Sequence, residues 1–339
     1  MSSWYKTDAP ENDVVVSTRV RLARNLRGMP FPSRMNATQM EELKTKVKQA
    51  IYESNTPFAK SLKFIDMAAV PKNEVNAMVE RHVISPEFAE RTEGRAIILS
   101  DDESISIMIG EEDHIRIQVI LGGLQLEKAY DIAERLDTLL YDSLHFAFDD
   151  ELGFLTECPT NLGTGLRASV MLHLPICESS GEITTLSENI NKIGFTVRGM
   201  YGEGSRSAAA LYQVSNQITL GISEKNAIDN LKIITTQLIE KERNARKALA
   251  SIKLEDTVYR ALATIKGSRI LSGKEMMGLL SMIKLGESMG IINTEKKPFG
   301  ILIENQPYML MRKYGEMSPE ERDVKRAYTL REEFKNSSL

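Results

Sequence analysis

Apolar residues in the first eighty positions recur with the period of a helix. A helix is predicted over residues 36–53, because four apolar side chains spaced three or four positions apart fall on one face: Met40, Leu43, Val47 and Ile51. A second, shorter helix is predicted over 72–83. Ahead of both helices, the stretch Ser17–Arg21 is rich in β-formers and favours a strand.

The period changes to two further along the chain. Alternating apolar residues predict two half-buried strands, around Ile105–Ile109 and Ile115–Val119, on either side of the polar stretch Gly110–His114. A long helix is predicted over 124–147. Further strands are predicted in the next segment of the chain, at 153–157, 168–174, 194–198 and 212–220.

The last third of the sequence is helical in pattern. A strong helix is predicted over 225–250, and from about 252 onward the sequence has no strand pattern. Helices within this part are predicted at Met276–Ile283 and Val324–Phe334. The fold class expected is therefore α+β, with an all-α segment after a boundary near 250.

Composition narrows the class of protein. The chain has 339 residues, of which 42% are hydrophobic and 27% charged, with a formal net charge of -4. This suits a soluble protein with a main and a smaller domain, and gives no bulk attraction to membranes or nucleic acid. The two cysteines, Cys158 and Cys177, are too few for a disulfide framework or a cysteine-rich zinc site. A polar N-terminal start and the absence of a spanning apolar run predict a cytoplasmic protein.

Common catalytic signatures are absent from the sequence. It has no P-loop, no protein-kinase H-R-D and D-F-G pair, no H-E-x-x-H and no G-x-S-x-G. These absences disfavour a P-loop enzyme, an ordinary protein kinase, a zincin and an α/β-hydrolase.

Arginines at strand ends and beside glycines form the first group of candidate site residues. The set is Arg19, Arg21, Arg116, Arg167 and Arg198. Arginine is permanently charged and its fork fits phosphate oxygens, so converging guanidiniums could hold a triphosphate without a P-loop. For any single arginine, a surface salt bridge is the more ordinary interpretation.

Carboxylates form the second group. Glu111, Glu112 and Asp113 are consecutive, and Glu203 stands between two glycines. A guanidinium is a poor nucleophile, and an enzyme that phosphorylates it must hold it, orient one nitrogen and accept a proton. Two carboxylates from different segments would do this. A solvated acidic turn and a mobile glycine-rich loop remain the alternative interpretation.

The sequence resembles the phosphagen (guanidino) kinase family over roughly residues 14–250. The segments that carry the resemblance are Ser17–Arg21, Glu111–His114 with Arg116, Cys158–Arg167, and Arg198-Gly199 with Glu203. Within that family it is similar to the bacterial protein arginine kinases over nearly the whole chain, through Glu80–Pro86, Gly165–Met171, Tyr201–Ser205 and Val214–Gly221.

The resemblance implies a fold and a nucleotide site. The fold would be a phosphagen-kinase-like catalytic domain, residues 1–250, with a largely antiparallel sheet flanked by helices, followed by an all-α domain at 251–339 that binds phosphoarginine and mediates dimerisation. The ATP-binding residues would be Ser17, Thr18, Arg19, Val20, Arg21, His82, Arg116, Arg167, Ala168, Ser169, Val170, Met171, Arg198, Gly199, Met200, Tyr201, Gly202 and Glu203. ATP would bring Mg²⁺ on its phosphates, and no protein metal ligands are expected.

The resemblance also implies catalytic roles. Glu112 matches the proposed base and guanidinium anchor, and Glu203 the second anchor of arginine-specific members. Cys158 matches a reactive cysteine beside the substrate, although a small buried residue is the commoner fate of a cysteine. Two positions depart from the small-molecule kinases, where Gly110 replaces an asparagine and Met171 a histidine.

The acceptor expected is arginine within a protein. In small-molecule members a helical domain precedes the first arginine pair, whereas here the pair starts at Arg19. The tail carries a motif matching a phosphoarginine-binding site: Arg322, Asp323, Val324, Lys325, Arg326 and Ala327. Asp323 could take the guanidinium and Arg326 the phosphate, with an exposed intrahelical ion pair as the alternative.

The sequence favours a protein arginine kinase. The alternatives are a small-molecule arginine kinase and a non-catalytic phosphoarginine-binding adaptor. By resemblance, the partners of the protein arginine kinase would be an activator (McsA), the repressor CtsR, the ClpC–ClpP protease and further copies of the chain, with no membrane or direct nucleic-acid partner. Arginine phosphorylation would mark proteins for Clp degradation and relieve repression of stress genes.

Overall fold

The structure is a computed structural model that describes residues 3–54, 56, 59–200, 207–294 and 297–337. Within these ranges the chain forms two compact units. Unit 1 comprises Met1–Thr7, Ser17–Val170 and Ser215–Ile233, and unit 2 comprises Asp8–Val16, Met171–Val214 and Ile234–Leu339, as far as their residues are described.

Strands and helices are interspersed up to about residue 220, and the elements after that are helices wherever the chain is described. The strands are β1 (Val15–Arg24), β2 (Leu62–Asp66), β3 (Ala96–Ser100), β4 (Ile105–Ile109), β5 (Ile115–Gly122), β6 (Phe148–Asp149), β7 (Gly153–Phe154), β8 (Leu166–His173), β9 (Phe195–Gly199) and β10 (Leu211–Asn216). The helices are α1 (Ala37–Glu53), α2 (Lys72–Glu80), α3 (Pro86–Glu90), α4 (Leu126–Leu144), α5 (Pro175–Ser179), α6 (Glu182–Asn191), α7 (Glu224–Ala248), α8 (Ile252–Gly267), α9 (Gly273–Ser288), α10 (Pro298–Glu304), α11 (Pro307–Tyr314) and α12 (Pro319–Phe334).

Unit 1 is built around antiparallel strands. Neighbouring strands follow the order β2-β3-β4-β5-β1-β8. The β1–β5, β2–β3, β3–β4 and β4–β5 pairs are antiparallel. Helix α4 packs on β5 and on α1. The predicted antiparallel sheet flanked by helices is therefore confirmed.

The first two predicted helices are present. Helix α1 starts where its capping box sets it, because the Asn36 side chain accepts from the Gln39 N–H at 2.9 Å and the Gln39 side chain accepts from the Asn36 N–H at 3.0 Å. Helix α2 ends at Glu80, short of the predicted 83, because His82 has a φ of 60° that a helix cannot contain.

The prediction of half-buried strands is wrong for β4, whose five residues are all buried. Met108 packs into an apolar cluster with Met78 and Phe88, which belong to α2 and α3. Helix α1 also contacts β4. Alternation predicted that one face of β4 would be buried, but helices also cover the other face. These helices lie elsewhere in the sequence, so the pattern within the strand could not predict them.

Unit 2 contains the predicted C-terminal helices. Its apolar cluster joins the C-terminal helices to residues near β10, and includes Leu211, Val258, Leu262, Leu280 and Phe334. The part after residue 252 is helical where it is described, as predicted. Among the described residues, none of the helices is both long enough and apolar enough to cross a membrane.

Candidate active site

Strand alternation places the first two arginines on one side of β1. Arg19 and Arg21 are partly exposed, whereas Val20 and Leu22 between and after them are 0% and 2% exposed. The antiparallel register with β5 sets Ala23 opposite Arg116. Two neighbouring strands of unit 1 therefore present guanidinium groups at nearby positions.

A glycine turn brings the start of β8 against the end of β1. The Ala23 N–H donates to Gly165 O at 2.9 Å. Gly165 has a φ of 61°, and a Cβ there would lie 2.6 Å from Ala23 O. Only glycine permits both the backbone angle and this approach. The approach carries Arg167, two residues later, to the same place as Arg21.

These segments enclose a small polar cavity of about 240 Å³ in unit 1. Its lining residues are Arg21, Ala23, Glu112, Arg116, Cys158, Thr160, Asn161, Gly165 and Arg167. The structure thus brings three predicted arginines together with the predicted base and the predicted reactive cysteine.

Two arginines near this cavity, Arg19 and Arg21, are short of negative partners among the described residues. Burial, followed by the charges of Arg116 and Arg167, lowers the pKa of Arg19 to about 10. Burial, followed by the charges of Arg19, Arg116 and Arg167, holds the pKa of Arg21 well below its usual range. Neither Arg19 nor Arg21 makes an ion pair with any described residue, and the Nε of Arg21 is buried without a hydrogen-bond acceptor in that part of the chain. Excess positive charge of this kind is the electrostatic complement of a polyanion such as a triphosphate.

Arg116 is the arginine that carboxylates hold. Its Nη1 lies 2.6 Å from Glu111 Oε2 and its Nη2 lies 3.2 Å from Glu112 Oε2. The Ser85 hydroxyl donates to the other oxygen of Glu111 at 2.5 Å. The Glu111 side chain is 5% exposed and that of Glu112 is 41% exposed. Of the two, Glu112 is therefore the carboxylate that a substrate can reach.

Glu112 has the properties of a proton acceptor. Partial burial raises its pKa above the ordinary carboxyl value, against the opposing charge of Arg116. The charges of Asp113 and Glu111 raise the pKa further, whereas a hydrogen bond with Cys158 lowers it. A raised carboxyl pKa makes the carboxylate a stronger base.

The neighbours of Glu112 in sequence are structural. Asp113 is 1% exposed, and its Oδ1 accepts from Asn25 Nδ2 at 2.7 Å and from the Glu157 N–H at 2.9 Å. His114 Nδ1 accepts from the Leu26 N–H at 2.9 Å. These bonds tie the Gly110–His114 turn to the two residues that follow β1 and to Glu157, the residue before Cys158.

Two polar residues that line the cavity, Thr160 and Asn161, were not among the candidate site residues predicted from the sequence. Asn161 donates weakly to Glu112 Oε2 at 3.5 Å, and the Thr160 hydroxyl lies 3.0 Å from Cys158 Sγ. The sequence could have indicated them, because both are polar residues inside Cys158–Arg167, a segment that carries the family resemblance. Thr160 and Asn161 belong to the short turn Pro159–Asn161, and a turn can direct side chains in ways that strand alternation does not predict.

His82 lies beside the first arginine. Burial, with a smaller contribution from Arg19, lowers its pKa to about 4, so the imidazole is neutral at pH 7. Its ring centroid is 6.3 Å from that of Trp4. A neutral imidazole close to Arg19 is compatible with the predicted position of His82 near a nucleotide.

Several predicted ATP-binding residues of unit 1 have buried side chains: Ser17, Thr18, Val20, Ala168, Ser169 and Val170. The Thr18 hydroxyl donates to Gly123 O at 2.6 Å and accepts from the Gln125 N–H at 3.1 Å. These side chains are used in packing and internal hydrogen bonds, so a nucleotide contact from them would use the backbone.

The remaining predicted nucleotide residues lie in unit 2 or outside the described ranges. Arg198 is exposed on β9, with Gly199 at the end of that strand. Met171 and Met200 pack against the apolar cluster of unit 2. Tyr201, Gly202 and Glu203 lie outside the described residues, so the second anchoring carboxylate stays a prediction.

The predicted phosphoarginine motif lies on α12. Arg326 is 2% exposed, and it donates from Nε to Asn305 O at 3.0 Å and from Nη1 to Leu271 O at 2.8 Å. Arg326 Nη1 also pairs with Asp323, as their spacing predicts. The Arg326 side chain of this pair is buried, whereas that of Asp323 is 32% exposed. Lys325 lies over the Tyr314 ring at 3.8 Å.

The other motif residues are more accessible. Arg322 is partly exposed and its Nη1 lies 3.8 Å from the Met311 sulfur, Val324 is 50% exposed, and Ala327 is buried. Phosphoarginine binding at this motif stays a prediction.

Two protein families match the sequence. The family described as "ATP:guanido phosphotransferase, C-terminal catalytic domain" matches residues 42–245. The family described as "Protein-arginine kinase McsB C-terminal domain" matches residues 251–338.

Individual proteins that are similar to this chain are kinases. A protein-arginine kinase from Halothermothrix orenii is 44% identical over 96% of this chain and 95% of its own length. One from Clostridium acetobutylicum is 40% identical over 99% of this chain and 100% of its own length. Among solved structures, the substrate-free duplicated taurocyamine kinase from Schistosoma mansoni is 29% identical with a TM-score of 0.60, covering 71% of this chain and 36% of that one. Lombricine kinase, at 22% identity and a TM-score of 0.62 over 74% of this chain and 71% of that one, shares the fold.

The arginine-lined cavity with one accessible glutamate agrees with these matches. The chain belongs to the ATP:guanido phosphotransferase family and, within it, to the protein-arginine kinases.

Proposed function

We propose that this chain transfers the γ-phosphoryl group of ATP to guanidinium nitrogens of arginine residues in proteins. The observation that carries the proposal is the cavity where Arg21, Arg116 and Arg167 meet Glu112. The unneutralised guanidinium of Arg21 suits the transferring phosphoryl group, and an accessible carboxylate of raised pKa suits the guanidinium that receives it.

In the proposed reaction Glu112 holds the substrate guanidinium and takes a proton from the attacking nitrogen. That nitrogen forms a bond to the γ-phosphorus while the bond from phosphorus to the ADP oxygen breaks. The arginines balance the charge on the phosphoryl oxygens throughout the transfer. Glu203 is the proposed second anchor of the guanidinium, and Cys158 is proposed to lie beside it.

The nucleotide is proposed to bind through the arginines of this site together with Arg198, and through the other predicted nucleotide residues. Mg²⁺ would be held by the nucleotide's phosphate oxygens, where it neutralises charge. Among the described residues, no cluster of three or more His, Cys, Asp or Glu side chains is arranged to hold a metal ion.

The biological setting is also a proposal. It comprises a cytoplasmic enzyme with a catalytic domain over 1–250 and a phosphoarginine-binding, dimerising domain over 251–339. Arginine phosphorylation would mark proteins for degradation by ClpC–ClpP and relieve repression by CtsR, with McsA as activator. The family match at residues 251–338 supports the second domain's place in this scheme.

The decisive experiment is mass spectrometry of a model protein after incubation with the chain, ATP and Mg²⁺, with acid avoided throughout because the P–N bond is acid-labile. We expect phosphoarginine on the protein, and none with Glu112→Gln. Full activity of Glu112→Gln would contradict the role of Glu112.

Parallel incubation with free arginine separates the alternatives. Rapid turnover of free arginine without protein labelling would instead support a small-molecule kinase. Binding of phosphoarginine with no ATP consumption would support an adaptor.

A further inference from the structure

The segment Asn216–Thr219 contacts residues 160–168, which include part of the cavity lining, but it has no role in the proposed reaction. It belongs to the Val214–Gly221 stretch that carries part of the family resemblance. Both Asn216 and Thr219 are buried, at 3% and 8% exposure. Their polar atoms are directed at the backbone of the loop that lines the cavity.

Asn216 binds the backbone on both sides of Arg167. Its Nδ2 donates to Leu166 O at 3.0 Å, and its Oδ1 accepts from the Ala168 N–H at 2.8 Å. The side chain therefore bonds to Leu166 and Ala168 as a neighbouring strand would. Arg167 lies between the two anchored residues and contributes to the cavity wall.

Thr219 binds the backbone on both sides of Asn161. Its hydroxyl lies 2.7 Å from Leu162 O and 3.1 Å from Thr160 O, and it donates to these carbonyls. Thr219 O accepts from the Thr164 N–H at 2.9 Å. Asn161, between the two held carbonyls, reaches Glu112.

The packing around Thr219 leaves the loop little freedom. A Cβ at Gly163 would lie 2.3 Å from Thr219 O, so the two backbones are in direct contact. Two buried side chains thus hold four carbonyl and amide groups, in the loop before β8 and at the start of β8. A segment held in this way keeps one conformation better than a segment whose polar groups bind only water.

We propose that Asn216 and Thr219 are positioning residues for phosphoryl transfer: Asn216 fixes Arg167, and Thr219 fixes Asn161 next to Glu112. The proposal rests on the function proposed above. Phosphoryl transfer depends on alignment of donor and acceptor, and small displacements of aligning groups cost large factors in rate.

Thr219→Val tests the proposal because it keeps the side chain's shape and removes its hydroxyl. We expect kcat for arginine phosphorylation to fall about tenfold or more, with a smaller change in KM for ATP. Thr219→Ser restores the hydroxyl and should recover kcat to within about threefold of the wild type.

Thr235→Val is the matched control. Thr235 is a buried threonine of α7 whose hydroxyl has no hydrogen-bond partner among the described residues. Its loss should leave kcat unchanged. Equal kcat values for Thr219→Val and Thr235→Val would overturn the proposal, as would a Thr219→Ser variant as slow as Thr219→Val.

Hydrogen exchange separates this proposal from the proposed function. In Asn216→Leu and Thr219→Val the amides of Ala168 and Thr164, respectively, should exchange faster than in Thr235→Val, with Tm held within a few degrees. If the wild type phosphorylates no arginine, the proposed function fails, and unchanged exchange at both amides then overturns the positioning proposal as well. If Asn216→Leu does not fold, the Thr219 pair of variants decides.

Discussion

Arg21 and Arg24 lie three residues apart on β1 and have opposite electrostatic surroundings. Arg24 is buried against Asp137, with Nε and Nη2 donating to its carboxylate at 2.8 to 3.1 Å, and it stacks 3.5 Å from the Phe154 ring centroid. Arg21 has no such partner among the described residues and faces other guanidiniums. Arg24 therefore supports the fold, whereas Arg21 is held at a cost in stability.

Arg21→Gln should raise or preserve stability and remove activity. A basic group whose pKa is lowered by folding destabilises the folded state at every pH below its unfolded-state pKa, and for arginine this range includes neutral pH. We expect Tm to stay level or rise by about 2–4 °C and kcat/KM for ATP to fall on the order of 100-fold. Thermal unfolding and steady-state kinetics measure the two effects.

Arg24→Gln is the contrasting variant. It leaves Asp137 unpaired and should lower the free energy of unfolding by about 3–5 kcal/mol. If Arg21→Gln destabilised the chain as much as Arg24→Gln, the description of Arg21 as an unneutralised cation would be wrong.

The pH dependence of the reaction should reflect Glu112. Its pKa is raised, chiefly by burial, so kcat/KM should fall on acidification at a pH above the ordinary carboxyl range. Cys158→Ala removes a hydrogen bond that lowers this pKa. The acidic limb of the profile should then move to higher pH.

Cys177→Ala provides the control for this shift. Cys177 is buried on α5, where burial and Glu242 raise its pKa to about 12, and it does not line the cavity. The acidic limb should not move in this variant. A Cys158→Ala profile that shifts to lower pH would contradict the hydrogen bond's sign.

At the scale of elements, turns decide how the strands deliver their side chains. Gly165 and Gly28 both have positive φ, of 61° and 79°. A Cβ at Gly165 would meet Ala23 O at 2.6 Å and Arg24 Nη1 at 2.7 Å, whereas a Cβ at Gly28 would meet nothing within 4 Å. Gly165 is therefore needed for two reasons: its φ is positive, and a side chain there would clash with β1.

Gly165→Ala should therefore cost more than Gly28→Ala. We expect Gly28→Ala to lower the free energy of unfolding by about 1 kcal/mol, from backbone strain alone. Gly165→Ala adds a clash worth about 1–3 kcal/mol and should also reduce kcat, since β8 must move away from β1. Denaturant unfolding and kinetics measure both. Equal stability losses would contradict the close approach.

Sequence patterns predicted the helices and strands better than they predicted which residues pack on them. The strand pair β4–β5 was identified from alternation, and α1 from its apolar face. The burial of β4 on both faces was not predicted, because Met78 and Phe88 reach it from helices far away in sequence. Periodicity reports the preference of a segment and does not report how many partners cover it.

At the scale of the whole molecule, the division into units does not follow chain order. Unit 2 joins residues 8–16 and 171–214 to residues from 234 onward. Arg246 donates to Asp13 O at 3.0 Å and to Ser288 Oγ at 3.0 Å, and Leu211 packs with the C-terminal helices. Segments on both sides of the predicted boundary thus share one core.

A chain truncated after Ala250 should be strongly destabilised. Removing α8 to α12 exposes Leu211 and leaves Arg246 without Ser288. We expect Tm to fall by several degrees or more. The exposed apolar residues should also bind a hydrophobic dye at ambient temperature. Calorimetry and dye fluorescence test this. A truncated chain as stable as the full one would show that residues 1–250 fold as an independent domain.

The sequence by itself determined the period of each helix and strand, and the arginines, carboxylates and glycines from which the site is built, because these depend on residue type and local spacing. The tertiary structure decided that Glu112 and not Glu111 or Asp113 is the accessible carboxylate, that Arg24 and Arg326 are buried supports, and that Asn161 lines the cavity. Those outcomes depend on burial and on partners far away in sequence, which local patterns do not contain.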